Sequence, residues 1–341
     1  MRAQFTLSAA VLVAACLADA GPQVEPMTLA PATGPVTLIR EATGSDAGGA
    51  DLFLPASPRV AGGRVWVLDG GNDRLVGFDA TLSHALVVGR EGEGPGEIQF
   101  AGEYVVDQGR LIVAEMGNSR LSVFDTSGAF RSVIPLARPP RFLAVVDTTL
   151  VVTTGVVGPE YVYRVGERGQ VVPYATVPGS IRRLAASQPA LYLPASPYIA
   201  SGAGGELYVL DPSVLALTEF GQGGEVVGVH LLPEPIRAQL LERRLEQRKA
   251  WGAKAAAFVD TPASKRISVD PEGRILLLFS LPDSWGLLID PRDWSARPLP
   301  LPENRRLHDL LWAASDATLH GDRLYVVTGS QLYEFAVEGW R

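Results

Sequence analysis

From residue 35 to the C-terminus, apolar residues come in short runs rich in Val, Leu, Ile and Tyr, each ended by Gly, Asn, Asp or Pro. Runs of that length and composition predict β-strands joined by tight turns. Two stretches repeat almost residue for residue: 63–79 reads GRVWVLDGGNDRLVGFD and 109–125 reads GRLIVAEMGNSRLSVFD. Each is a turn, a strand, an acidic residue (Asp69, Glu115), a short turn holding Asn and Arg (Asn72 and Arg74; Asn118 and Arg120), and a second strand ending in Phe-Asp. This is a hairpin written twice. The Asn tolerates a left-handed turn and the Arg sits within reach of the acid across the hairpin, so both pairs are read as structural. Weaker copies place equivalent strands near 149, 206, 274 and 323, after those at 64 and 110. That spacing suits four-stranded blades with insertions and predicts an all-β, six-bladed β-propeller. The last blade runs out after 332–337, and a spare strand at 35–41 (PVTLIRE) is expected to complete it and close the ring.

With the loop 89–97 (GREGEGPGE) before the second copy, the two strong repeats resemble NHL repeats, and the loop resembles that of bacterial six-bladed propeller lipoproteins of unassigned function. Residues 60–130 carry the resemblance, and the remaining blades share only its strand rhythm. It implies the fold. It does not imply one activity, because such propellers serve as binding platforms, lyases and lactonases.

One segment breaks the β pattern. Residues 233–258 predict a helical insertion between blades four and five, with Pro235 at its start and an apolar stripe of Ile236, Leu240, Leu241, Leu245 and Trp251. Its Arg237, Arg243, Arg244, Arg248, Lys249 and Lys254 outnumber Glu242 and Glu246, which suits a lid, a partner-docking helix, a membrane-surface contact or a cap on its own propeller.

The N-terminus reads as an address. Arg2 and the apolar stretch 5–15 have the form and length of a signal peptide, too short to span a bilayer. Val13, Ala14 and Ala15 before Cys16, the only cysteine, resemble a lipobox. The expected organisation is a signal peptide at 1–15, a lipid-anchored flexible tether at 16–34 with acyl chains on Cys16, and the propeller at 35–341. Such a protein is exported to the cell envelope, facing the periplasm or on the outer membrane, and held to the membrane by its acyl chains. Cleavage after Ala20 instead would make it soluble in the periplasm or secreted.

Charge and chemistry narrow the function less. A formal net charge of −7 and the lack of a basic patch with interleaved aromatics argue against nucleic acid. Beyond Cys16 there is no thiol for a disulfide or a thiolate metal site. Connections on one face of the ring repeatedly supply cations: Arg90, Arg138, Arg141, Arg182, Arg183, Lys265, Arg266, Arg305 and Arg306. Converging at the channel mouth, they would favour carboxylate or phosphate ligands. The first expectation is therefore a non-enzymatic binding or scaffolding propeller presenting a cationic loop face to a peptide, glycan or protein. No G-x-S-x-G elbow, H-E-x-x-H helix or phosphate loop with Lys occurs, so no catalytic residue, cofactor or metal is assigned. The alternative is a lyase or hydrolase using His230 or His308 at the mouth, possible also with a divalent metal.

Overall fold

The computed structural model describes residues 22–42, 52–154, 160–187, 196–255 and 266–340. Cys16, Lys265, the signal segment and the end of the 233–258 insertion lie outside them. Six sheets form the ring, their strands in sequence order apart from N-terminal strands that join three of them. The inner strands are Pro55–Ala61, Ala101–Asp107, Pro140–Val146, Tyr198–Ser201, Arg266–Val269 and Asp316–His320. Each pairs antiparallel with the strand that the repeat predicts, starting at Arg64, Arg110, Thr149, Leu207, Ile275 and Arg323. The turns between them in blades one and two are Gly62-Gly63 and Gln108-Gly109, all four at positive φ. That is the primed turn whose twist matches a hairpin, and the glycines make it cheap.

Val36–Ala42 pairs antiparallel with Gln331–Val337 and completes blade six, as expected. The ring is sealed by apolar layers between neighbouring blades. Trp66, Leu68 and Leu75 of blade one meet Tyr104, Leu111 and Phe124 of blade two. Val65, Val67 and Phe78 meet Val327 and Leu332 of blade six. Because strands alternate their faces, each blade offers one apolar surface to either neighbour.

Two features differ from the sequence reading. The segment expected to be a flexible tether is bound where it is described: Val24–Pro26 adds a parallel outer strand to blade four and Thr28–Leu29 adds one to blade five. Met27 between them is buried, and Thr33 reaches the Pro298 carbonyl. The pairing is through backbone groups, which leave no side-chain pattern to read. Second, the described residues hold three helices, not one. Helices α1 (Gly179–Ser187), α2 (Glu234–Ala255) and α3 (Arg305–Trp312) follow blades three, four and five on the same face of the ring. The short α1 and α3 are amphipathic but only about two turns long, and Asn304 caps α3 by accepting the Leu307 N–H at 3.2 Å.

Candidate functional site

The repeated acid, Asn and Arg build a latch. Asp69 accepts Asn72 Nδ2 at 2.9 Å, Arg74 Nε at 2.7 Å and the backbone N–H of Phe53 at 2.6 Å. Glu115 accepts Asn118 Nδ2 at 2.6 Å, Arg120 Nε at 3.0 Å, the N–H of Gln99 at 3.2 Å and the Ser122 hydroxyl. Both acids are fully buried. A Cβ on Gly71 would strike the Phe53 ring, and one on Gly117 would strike Gln99, so the glycine before each Asn is a seat for that residue. The latch thus fixes the loop entering each inner strand.

Those inner strands carry a charged cluster into the channel from four blades. Arg59 Nη2 lies 3.4 Å from Glu103 Oε1, Arg266 Nη1 lies 3.2 Å from Glu103 Oε2, and Arg266 Nε lies 3.5 Å from Asp316 Oδ2. The Ser57 N–H donates to Asp316 Oδ2 at 2.8 Å, and the Ala317 N–H donates to Oδ1 at 2.8 Å. Arg266 and Arg141 both lie against the Phe142 ring. Asp316 is only 4% exposed. Burial pushes its carboxyl up to about 6, and Arg266 opposes the shift. Tyr104 lies under Arg59, and burial holds its phenol well above the ordinary range. The hydroxyls of Ser57 and Tyr104 are buried with no hydrogen-bond partner among the described residues. Beyond the cluster, on the face away from the helices, the channel holds a cavity of about 350 Å³ lined by Val60, Val105, Val145, Val269 and Leu319 and reaching Arg59.

The sequence reading missed Arg59, Glu103, Tyr104 and Asp316. The available signal was a charge inside an inner strand, as in PASPRVA and AGEYVVD, where an alternating pattern alone does not distinguish a channel from solvent.

The expected cationic ring is not formed. Arg266 is in the channel but neutralised by two carboxylates. Arg90 pairs with Glu97 at 2.8 Å, and Arg306 pairs with Glu41 at 2.8 Å. Arg138 lies over the Tyr163 ring, and Arg141 over Phe142. Arg182 and Arg183 are exposed on α1, and Arg305 is exposed on α3 beside Asp309. Three of the α2 cations are also not a display. Arg237 and Arg244 are buried, donating to carbonyls of Val214, Pro212 and Ser213 in blade four. Arg243 donates to the Ser280 carbonyl and stacks on Trp312.

His230 is not at the channel mouth. His230 is buried on the outermost antiparallel strand of blade four, beside Glu25 and stacked on Trp294 at 3.5 Å, and burial lowers its pKa to about 4. His308 lies on α3 over Trp312. Among the described residues no three His, Cys, Asp or Glu side chains gather as a metal would require, and the channel carboxylates are turned to arginines, so this donor set does not fit a divalent metal.

No family model and no curated relative matches the chain. Solved structures do. An inactive variant of virginiamycin B lyase from Staphylococcus aureus with quinupristin is 10% identical, over 83% of this chain and 80% of that one, with TM-score 0.53. A gluconolactonase from Xanthomonas campestris is 17% identical, over 92% and 99%, with TM-score 0.53. A candidate exported protein from Bacteroides fragilis is 11% identical, over 92% and 99%, with TM-score 0.57. At such identities the likeness establishes the six-bladed fold. The expectation of a non-enzymatic cationic platform is corrected here: its cations are dispersed or paired, and the propellers this chain is similar to include a lyase and a gluconolactonase.

Proposed function

We propose that this chain is a propeller hydrolase that opens a cyclic ester in the channel, with Asp316 moving the proton and Arg266 and Arg59 facing the charge that develops on the carbonyl oxygen. One observation carries the reading: a buried carboxyl held at about 6 stands beside a guanidinium in a channel where inner strands of several blades converge. A group titrating near neutrality is suited to both halves of a hydrolysis. The Asp316 carboxylate takes a proton from water while the water oxygen bonds to the carbonyl carbon. The oxyanion is stabilised by the guanidinium groups in a site of low dielectric. The ring C–O bond then breaks, and the departing alkoxide takes the proton back from Asp316, leaving a hydroxy acid. The names of the gluconolactonase and lyase neighbours support a small carbonyl substrate, and lactones are the first panel to test. Turnover of at least one lactone by the wild type, lost by about 100-fold or more in Asp316→Asn, is the expected result. No turnover of any lactone would end this reading.

The address belongs to the same proposal. The chain is exported as an NHL-type propeller lipoprotein, acylated at Cys16 and attached to the membrane, and the candidate exported neighbour supports export. Cys16→Ser should release the protein from the membrane fraction, and retention would contradict the anchor.

A further inference from the structure

A non-glycine residue at positive φ is strained, and a large apolar side chain in water gains nothing from burial. Leu54 and Phe100 combine both, at φ 51° and 49° and with 65% of each exposed. They occupy equivalent places. Each follows the residue whose N–H is held by a latch acid, Phe53 on Asp69 and Gln99 on Glu115, and each precedes the first residue of an inner strand. At the same place blade three has Pro139, blade four Pro197 and blade six Ser315, none of them a large apolar side chain at positive φ. The strained loops are fixed from several sides: Gly71 N–H donates to the Phe53 carbonyl at 2.7 Å, Met116 N–H to that of Phe100 at 3.0 Å, and Ala101 N–H to Asp73 at 3.3 Å. Exposed Phe53 and Met116 extend the apolar surface.

Each of these loops leads directly into an inner strand that bears a channel residue. Leu54 is three residues from Ser57, whose N–H holds Asp316, and Phe100 is three residues from Glu103. Three residues of strand span roughly 10 Å, the length of a small organic molecule. Helices α1 to α3 follow blades three to five, so among the described residues blades one and two form the side of the mouth without a helix.

We infer that Leu54 and Phe100 are a specificity platform that seats a bulky apolar group of the substrate while its carbonyl lies at Arg266 and Asp316. The substrate class is then a lactone bearing an aromatic or branched apolar substituent. This rests on the hydrolytic reading of the channel. The latch holds the strained backbone, and that backbone aims the two side chains at the ligand.

The test replaces both residues in the full chain by Asn, which accepts a left-handed backbone and keeps the loops. Fluorescence titration with 1-anilinonaphthalene-8-sulfonate is compared for wild type, Leu54→Asn/Phe100→Asn and a control, Val87→Asn/Val133→Asn, altering exposed residues on the outer strands of the same blades. The platform pair should weaken probe binding about tenfold with no loss of Tm, and the control pair should leave it unchanged. The platform pair should also lower kcat/KM about tenfold for a phenyl-substituted δ-valerolactone while leaving unsubstituted δ-valerolactone within about twofold. Undiminished probe binding overturns the platform, and so does a fall in Tm, which would give the two residues a structural role. If the wild type turns over neither lactone, the hydrolytic reading fails while the probe titration still decides whether the platform exists.

Discussion

Blades one and two fix the helix-bearing face of the ring differently from blades four and five. In the first pair, each blade carries its own latch of acid, Asn and Arg, which leaves its mouth uncovered and sets apolar residues around it. In blade four the latch position is Asp211, which accepts the Tyr161 hydroxyl at 2.6 Å and has neither Asn nor Arg beside it. The loop behind it is held instead by Arg237 and Arg244 from α2. In blade five the position is Phe279, and Arg243 ties α2 to the neighbouring Ser280. Among the described residues, the segment before the closing strand adds a parallel outer strand to these two blades alone. A blade with its own charged latch is self-sufficient, whereas one without it is held by an insertion from outside.

The comparison breaks most sharply at the N-terminus. Removing residues 1–42 deletes the strand that completes blade six and should abolish cooperative unfolding, because the ring regains an open edge. Removing only 1–34 keeps that strand but exposes the Met27 site, a loss of about 2 kcal/mol from burial before any backbone pairing is counted. Hydrogen exchange should then show lost protection in blades four and five, with blades one and two unchanged. Equal loss in all blades would contradict the distinction.

A smaller effect probes the latch. Glu115→Ala removes the carboxylate that Arg120 Nε, Asn118 and the Gln99 N–H share, leaving Arg120 and Asn118 only their carbonyl partners, and should cost about 3–5 kcal/mol in urea unfolding. The smallest is a pH effect in blade four. The folded state holds His230 at about 4 against an ordinary value of 6.5, so stability is full above 6.5 and is lost as pH falls toward 4, by up to about 3 kcal/mol. His230→Phe keeps the stack on Trp294 and should remove most of that loss, which unfolding at pH 7.5 and 4.5 measures.

What was legible in the sequence follows the same division. The strand starts, the closing strand at 35–41 and the insertion helix come from period and turn chemistry, which local residues encode. Helices α1 and α3 are little more than two turns long, so each shows too few repeats of its apolar face to stand out among strands. The outer strands at Val24–Pro26 and Thr28–Leu29 are recruited by free backbone groups of blades four and five, a property of the assembled edge. The site was hidden for a related reason. Arg266 drew attention as a loop cation, but its meaning comes from Glu103 and Asp316, which lie 163 and 50 residues away in sequence and meet only in the ring. His230 looked reactive because histidine often is, yet its surroundings are a buried stack at the rim.

The pH dependence of kcat/KM on a lactone, for wild type and Asp316→Asn, tests the channel most directly. The wild type should gain activity as pH rises and level off above about 6, where Asp316 is a carboxylate. The variant should lose that limb and about 100-fold or more in rate. Its stability at pH 7.5 should not fall, since a raised carboxyl pKa means the fold disfavours the charged form that Asn removes. A variant that keeps the wild-type profile, or one that loses activity only by unfolding, would show that the cluster braces the ring and that the chemistry is elsewhere.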